Sequence, residues 1–315
     1  MRTRLIVMTI TLALALAAGA CGGADDSDEN NGANNGANNG ANNGANNGAA
    51  NVHHDSFVPE GLAPTEAVRL IVLGDSISAG VGAGNRAVDS YFALLYRNSD
   101  AAYPEESETD LASRFGDDVT LVNVAQGGAT APTMVRLQVP KLERDLDFPV
   151  EGHSVVVITI GGNDLQGAII TRDFTGGVMT NALASIRETV DFFQDPARFP
   201  DGVSLYLAAV YDPSDGVGFI QGCFFNLEIP DAVAALEVWR EEYIALGDEM
   251  GFAVVDVLGA FHGHGLYATD ANNEFYDSED PTQWFDNDCI HPNPRGHHEL
   301  RRLFFEAIDG EYVAD

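Results

Sequence analysis

The chain has 315 residues, of which 16 are basic and 48 acidic, for a formal net charge of −32. A surface of that sign repels nucleic acid, anionic membrane surfaces and acidic polymers, so none of these is expected as a partner. Lys141 is the only lysine, a composition that suits a saline habitat equally well as it reflects lineage.

Met1-Arg2-Thr3-Arg4 followed by the apolar Leu5 to Ala20 has the charged start and short greasy core of an export signal, too short to span a bilayer comfortably. Residues 1–20 are therefore set apart from the fold. Ala18-Gly19-Ala20-Cys21 resembles a bacterial lipobox, which implies lipidation of Cys21 and a membrane-tethered envelope lipoprotein; the alternative is ordinary cleavage and secretion. Residues 21–66 carry Asp25, Asp26, Asp28 and Glu29, then five copies of Asn-Asn-Gly-Ala between Asn30 and Ala49. With no large apolar residue such repeats bury no core, so the segment reads as a flexible tether. Residues 67–315, about 250 in number, suffice for one well-filled domain.

Five short runs rich in valine, isoleucine and leucine follow: Val68 to Leu73, Val119 to Val124, Val155 to Ile160, Val203 to Val210 and Phe252 to Val257. Near-continuous apolar runs fit strands buried on both faces. Between them lie helical stripes: Ala182, Ile186, Val190 and Phe193; Val233, Leu236, Trp239 and Tyr243; Leu300, Phe304 and Ile308. Strand and helix alternating in this way imply a parallel sheet covered by helices, with ligands gathering beyond the carboxyl ends of the strands.

Four short blocks stand at such ends. Gly74-Asp75-Ser76-Ile77-Ser78 closes the first run, Asn123-Val124-Ala125-Gln126-Gly127-Gly128 the second, Gly161-Gly162-Asn163-Asp164 the third, and Asp288-Cys289-Ile290-His291 follows the last. In this order they resemble the SGNH or GDSL family of serine esterases and lipases, over roughly residues 67 to 308. Isoleucine at Ile77 in place of the signature leucine, and a long stretch between the fourth and fifth strands, are the departures. The resemblance implies a three-layer α/β/α flavodoxin-like fold around a five-stranded parallel sheet. It also implies Ser76 as nucleophile, His291 as general base, Asp288 orienting it, and an oxyanion hole from the Ser76 and Gly128 backbone N–H groups and the Asn163 amide. No cofactor is implied. The substrate would be a lipid, a short-chain ester or an acetylated sugar, and a membrane would be met only through the lipid anchor.

Duller readings compete at each position. Asp75 and Asp164 read as loop-bracing hydrogen-bond partners and not proton carriers. His262 and His264 lack an acid or cysteine cluster to complete a metal site, and Asp286-Asn287-Asp288 lacks the glycine and distal glutamate of a calcium loop. A Gly-x-Ser-x-Gly elbow is absent. If Cys21 carries lipid, Cys223 and Cys289 remain as a pair, and in an exported protein a disulfide between them is expected. Two aromatic segments, Tyr211 to Pro230 and Tyr267 to Phe285, either line an acyl pocket or pack an insertion onto the domain. An SGNH scaffold that binds without catalysing is the rival from outside the enzymes, and a carbohydrate O-acetyl esterase the rival within them.

Overall fold

The computed structural model describes residues 52–53, 68–222 and 226–312, all within the unit Ala50–Asp315. The expectations for residues 1–20, for Cys21, for most of the tether and for Cys223 fall outside the described residues. The strands in chain order are β1 (Val52–His53), β2 (Val68–Gly74), β3 (Thr120–Asn123), β4 (His153–Thr159), β5 (Val203–Ala208), β6 (Phe219–Ile220), β7 (Leu227–Glu228) and β8 (Ala253–Val255). The main sheet runs β1-β8-β5-β4-β2-β3. β3, β2, β4, β5 and β8 are mutually parallel, the expected central sheet. Taken in sequence order those five lie 2-1-3-4-5, the doubly wound order of flavodoxin-like domains. The antiparallel edge strand β1 was not foreseen: Val52 pairs with Val255 and His53 with Val254, inside the stretch read as tether.

The apolar runs are continuous because the two faces of each strand meet different helical layers. Ile71, Leu73, Val156, Ile158, Leu205 and Leu207 enter one core with Ile186, Val190, Trp239 and Tyr243. Leu70, Val72, Val155, Val157 and Tyr206 enter the other with Tyr91, Leu300, Phe304 and Ile308. Side chains alternate at period two, so a strand with both faces covered needs apolar residues at every position. The first core is roofed by helices Gly177–Phe193 and Pro230–Met250, the second by Tyr91–Tyr96 and Pro294–Tyr312. Burying each such aliphatic side chain contributes about 1.5–3 kcal/mol. The sheet is thus a rigid plate from which loops project.

The long stretch between β5 and β8 holds the β6–β7 hairpin and the helix Pro230–Met250. Its anchor is Asp215, buried with φ +48°. Its carboxylate accepts N–H groups from Gly263 (3.0 Å), Gly265 (2.9 Å) and Tyr267 (3.0 Å), which binds the insertion to the loop after helix Val257–Phe261. Trp284 and Phe285, offered by sequence as pocket lining or packing, are packing residues: both are buried and meet the Phe261 ring edge-on at 5.2 and 5.8 Å.

Candidate active site

β2 ends at Gly74 and its ladder runs out there, so the next residues need other partners for their polar groups. Gln138 supplies the first pair. Its side-chain oxygen accepts the Gly74 N–H at 2.9 Å and its amide nitrogen donates to the Gly74 carbonyl at 2.6 Å. It reaches them from the π-helical turn Met134–Gln138, a geometry found often at functional sites. Asp75 accepts from the Ile77 N–H at 3.0 Å and from the Thr159 hydroxyl at 2.9 Å. Thr159 in turn joins the Ser78 hydroxyl at 2.8 Å, which also meets the Tyr91 hydroxyl at 2.7 Å. Asn123, at the end of β3, donates to the Ser78 carbonyl at 2.9 Å. Four neighbouring elements thereby clamp the turn that presents Ser76.

Ser76 Oγ lies 2.8 Å from His291 Nε2, across 215 residues of sequence. His291 Nδ1 lies 2.5 Å from Asp288 Oδ2. The other Asp288 oxygen accepts the backbone N–H groups of Ile290 and His291, each at 2.9 Å, so the carboxylate is held from two sides. Burial would raise the Asp288 carboxyl, but the His291 ring and these two N–H groups outweigh it and hold the group below its ordinary range. The loop is braced from beneath by Tyr211, whose hydroxyl donates to the Ile290 carbonyl at 2.6 Å. Cys289 adopts φ +64° and is disulfide-bonded. Its Sγ lies 3.9 Å from the Gln221 carbonyl of the insertion. Its expected partner Cys223 is outside the described residues.

The two residues expected to face an oxyanion also reach this end of the sheet. Gly128 has φ +76° and nothing lies within 4 Å of where a Cβ would stand; the glycine is needed for its left-handed backbone, and the space above it is open. Asn163, in the first turn of helix Gly162–Thr171, uses one amide N–H on the Ala129 carbonyl at 2.9 Å. That leaves its second N–H to point elsewhere. Asp164 accepts the Ala131 N–H at 3.0 Å and so ties this block to the one carrying Gly128. Burial pushes both Asp75 and Asp164 up to about 6.

Three further histidines among the described residues stack on aromatic rings. His262 stacks on Phe275 at 3.9 Å, His264 on Trp284 at 3.5 Å and His298 on Tyr103 at 4.7 Å. Among the described residues no group of three or more His, Cys, Asp or Glu side chains could hold a metal ion. Gln138, Thr159, Asn123, Tyr211 and His297 are the supporting residues that sequence reasoning missed. Asn123 stood inside one of the four blocks, Thr159 in the third apolar run and Tyr211 at the start of an aromatic segment, none of them given a part in the site.

A family model described as the GDSL-like lipase/acylhydrolase family matches residues 72–299. Lipase 2 of Streptomyces coelicolor is 33% identical over 123 residues, which is 38% of this chain and 39% of that relative. The match thus spans well under half the length of this curated relative. Among solved structures, an acetyl-xylooligosaccharide esterase from Geobacillus Stearmophilus is similar with a TM-score of 0.50 at 19% identity, over 81% of this chain and 100% of that one. An extracellular lipase from Streptomyces rimosus gives 0.46 at 22% identity, over 76% and 100%. Among the described residues no helix is long and apolar enough to cross a membrane.

Proposed function

The chain belongs to the GDSL-like lipase/acylhydrolase family, and on that premise we propose that it is an exported serine hydrolase cleaving carboxylic esters through an acyl-enzyme on Ser76. A serine hydroxyl is a weak nucleophile at neutral pH and needs a base within hydrogen-bond reach. The observation that carries the reading is the relay Ser76 Oγ, His291 Nε2, His291 Nδ1, Asp288 Oδ2, with links of 2.8 and 2.5 Å. His291 takes the serine proton as Oγ attacks the ester carbonyl, then delivers it to the departing alcohol. Water, deprotonated by the same imidazole, then releases the acid and restores Ser76. Asp288 holds Nδ1 protonated and stabilises the imidazolium. The tetrahedral oxyanion is received by the backbone N–H groups of Ser76 and Gly128 and the free amide N–H of Asn163.

Residues 1–20 and Cys21 support export with a lipid anchor at the start of the tether. Colour release from a short-chain p-nitrophenyl ester tests the reaction. The expected result is turnover by the wild type and loss on the order of a thousandfold or more in Ser76→Ala. A well-folded Ser76→Ala variant that keeps most activity removes the assignment. A wild type that binds esters without turning them over makes the chain a binding protein on this scaffold. Acyl chains of graded length set against acetylated polysaccharides separate lipase from carbohydrate O-acetyl esterase.

A further inference from the structure

Ser76 and His291 come from opposite ends of the domain, and the bond between them leaves little tolerance. A displacement of about 1 Å between reacting groups can cost a hundredfold. Beyond the relay itself, their two segments meet closely at Gly82 and at His297. At the first, Gly82 lies at φ +91°, and a Cβ there would fall 2.0 Å from the Pro292 carbonyl oxygen. Only glycine allows the loop after Ser76 to come this close to the residue after His291.

The second point is His297. Its Nε2 lies 2.9 Å from the Val81 carbonyl oxygen, and Val81 donates its own N–H to the Ser76 carbonyl at 2.9 Å. Its Nδ1 faces the Tyr91 N–H at 3.3 Å. A backbone N–H can only donate, so Nδ1 is the accepting nitrogen, and the ring proton sits on Nε2, directed at Val81. The imidazole is fully buried and lies parallel to Tyr91, with ring centroids 6.3 Å apart. Tyr91 also reaches the nucleophile turn through Ser78. Burial holds the ring neutral, with a pKa down to about 4, helped by the charge of His291. His297 stands in the first turns of helix Pro294–Tyr312, which begins just past His291.

We propose that His297 is a positioning residue of the reaction: it carries the backbone of the Ser76 turn on the helix that follows His291 and so sets the distance between nucleophile and base. It touches neither substrate nor the reacting atoms. Only the activity readout rests on the esterase reading above. The chain of bonds runs from the Ser76 carbonyl through the Val81 peptide to His297 Nε2, and from the His297 N–H to the Asn293 carbonyl at 2.9 Å. Each link is short and the His297 ring is itself fully buried, so slack at His297 passes directly to Ser76.

The test uses His297→Leu, which fills space without either side-chain bond, and His297→Gln, whose amide nitrogen can donate to Val81 and whose oxygen can accept from Tyr91. Steady-state kinetics on p-nitrophenyl acetate and amide hydrogen exchange of residues 76–83 are measured on each. In the leucine variant kcat is expected to fall on the order of a hundredfold, with KM changed less than about threefold. Exchange at 76–83 should quicken while helix 294–312 stays protected. Glutamine should restore most of both. Wild-type kcat and exchange in a folded leucine variant, a glutamine variant as impaired as the leucine one, or a loss confined to KM would each overturn the proposal. Should the leucine variant not fold, His297→Asn replaces it, one methylene too short to reach both partners, with the same expectations and the same refutations. If the wild type hydrolyses no ester, the esterase reading falls by itself and the exchange data alone decide for or against His297.

Discussion

Replacing Asp288 by asparagine changes one atom yet is expected to abolish nearly all activity. The two carboxylate oxygens have separate tasks: Oδ1 accepts the N–H groups of Ile290 and His291, and Oδ2 faces His291 Nδ1. In the amide, one position becomes an NH2 donor. Turned towards the backbone it would confront two N–H groups, so the oxygen stays there and the NH2 meets Nδ1. Two donors cannot share that bond. His291 therefore surrenders the Nδ1 proton and carries it on Nε2, where it can no longer accept from Ser76. The wrong tautomer in an otherwise intact triad costs about 10⁴ in kcat, or about 5 kcal/mol at 1.36 kcal/mol per decade. Hydrolysis of p-nitrophenyl acetate by Asp288→Asn, with circular dichroism to verify folding, measures it. Asp288→Ala, which leaves Nδ1 to water, is expected to lose about 10⁴ in kcat, still less than Ser76→Ala, whose thousandfold-or-more loss reaches about 10⁶ in a comparable triad. An asparagine variant folded and within about tenfold of the wild type would show that Asp288 does not set the tautomer, and the relay would lose its third member.

Asn163→Ala should lower kcat by about 10²–10³ while leaving KM nearly unchanged, since its amide meets a charge that exists only after attack; a rise in KM alone would make it a substrate contact. Asp75 offers a thermodynamic test. Burial lifts its carboxyl from the ordinary 3.8 to about 6 in the fold, so the native state binds the proton more tightly and stability falls as pH rises through that window. The difference amounts to about 3 kcal/mol. In urea titrations the stability of Asp75→Asn relative to wild type should therefore improve by about that much from acid to neutral pH, and a flat difference curve would contradict the raised value. Reducing the disulfide at Cys289 should lower activity before it unfolds the domain, because that residue stands between Asp288 and His291; unchanged kcat in fully reduced, folded protein would show the loop to be held by Tyr211 and Asp288 alone. With its own signal the protein should partition into membranes and Cys21→Ser should release it; a variant still in the membrane removes the lipid anchor.

What could be read from sequence follows how local the cause is. Strands β2, β4 and β5 were legible because burial on both faces leaves an unbroken apolar run. β1 was not, since two residues amid a polar tether pair only with an edge that the sequence does not reveal. Trp284 and Phe285 carried the same letters for a pocket as for a core, and only the ring packing against Phe261 distinguishes them. Gln138 was invisible because its reach to Gly74 depends on a π-helical turn, which leaves no 3.6-residue signature. His297 carries no mark of its role in the sequence, because the ring it lies parallel to, Tyr91, and the carbonyl it meets, Val81, are 206 and 216 residues away.

These omissions share a physical origin at the carboxyl edge of the sheet. Where β2 stops, the ladder no longer satisfies the Gly74 N–H, the Ser78 N–H and C=O or the Val81 C=O, although they still require partners. Side chains replace the missing strand: Gln138 for Gly74, Thr159 and Asn123 for Ser78, His297 for Val81. Each substitute comes from a different element, so a shift of any one of them would strain bonds to the others. The turn that presents Ser76 is consequently held by the same desolvation cost that ends the strand, and a nucleophile placed one turn further from the sheet, among solvated loops, would lack that constraint.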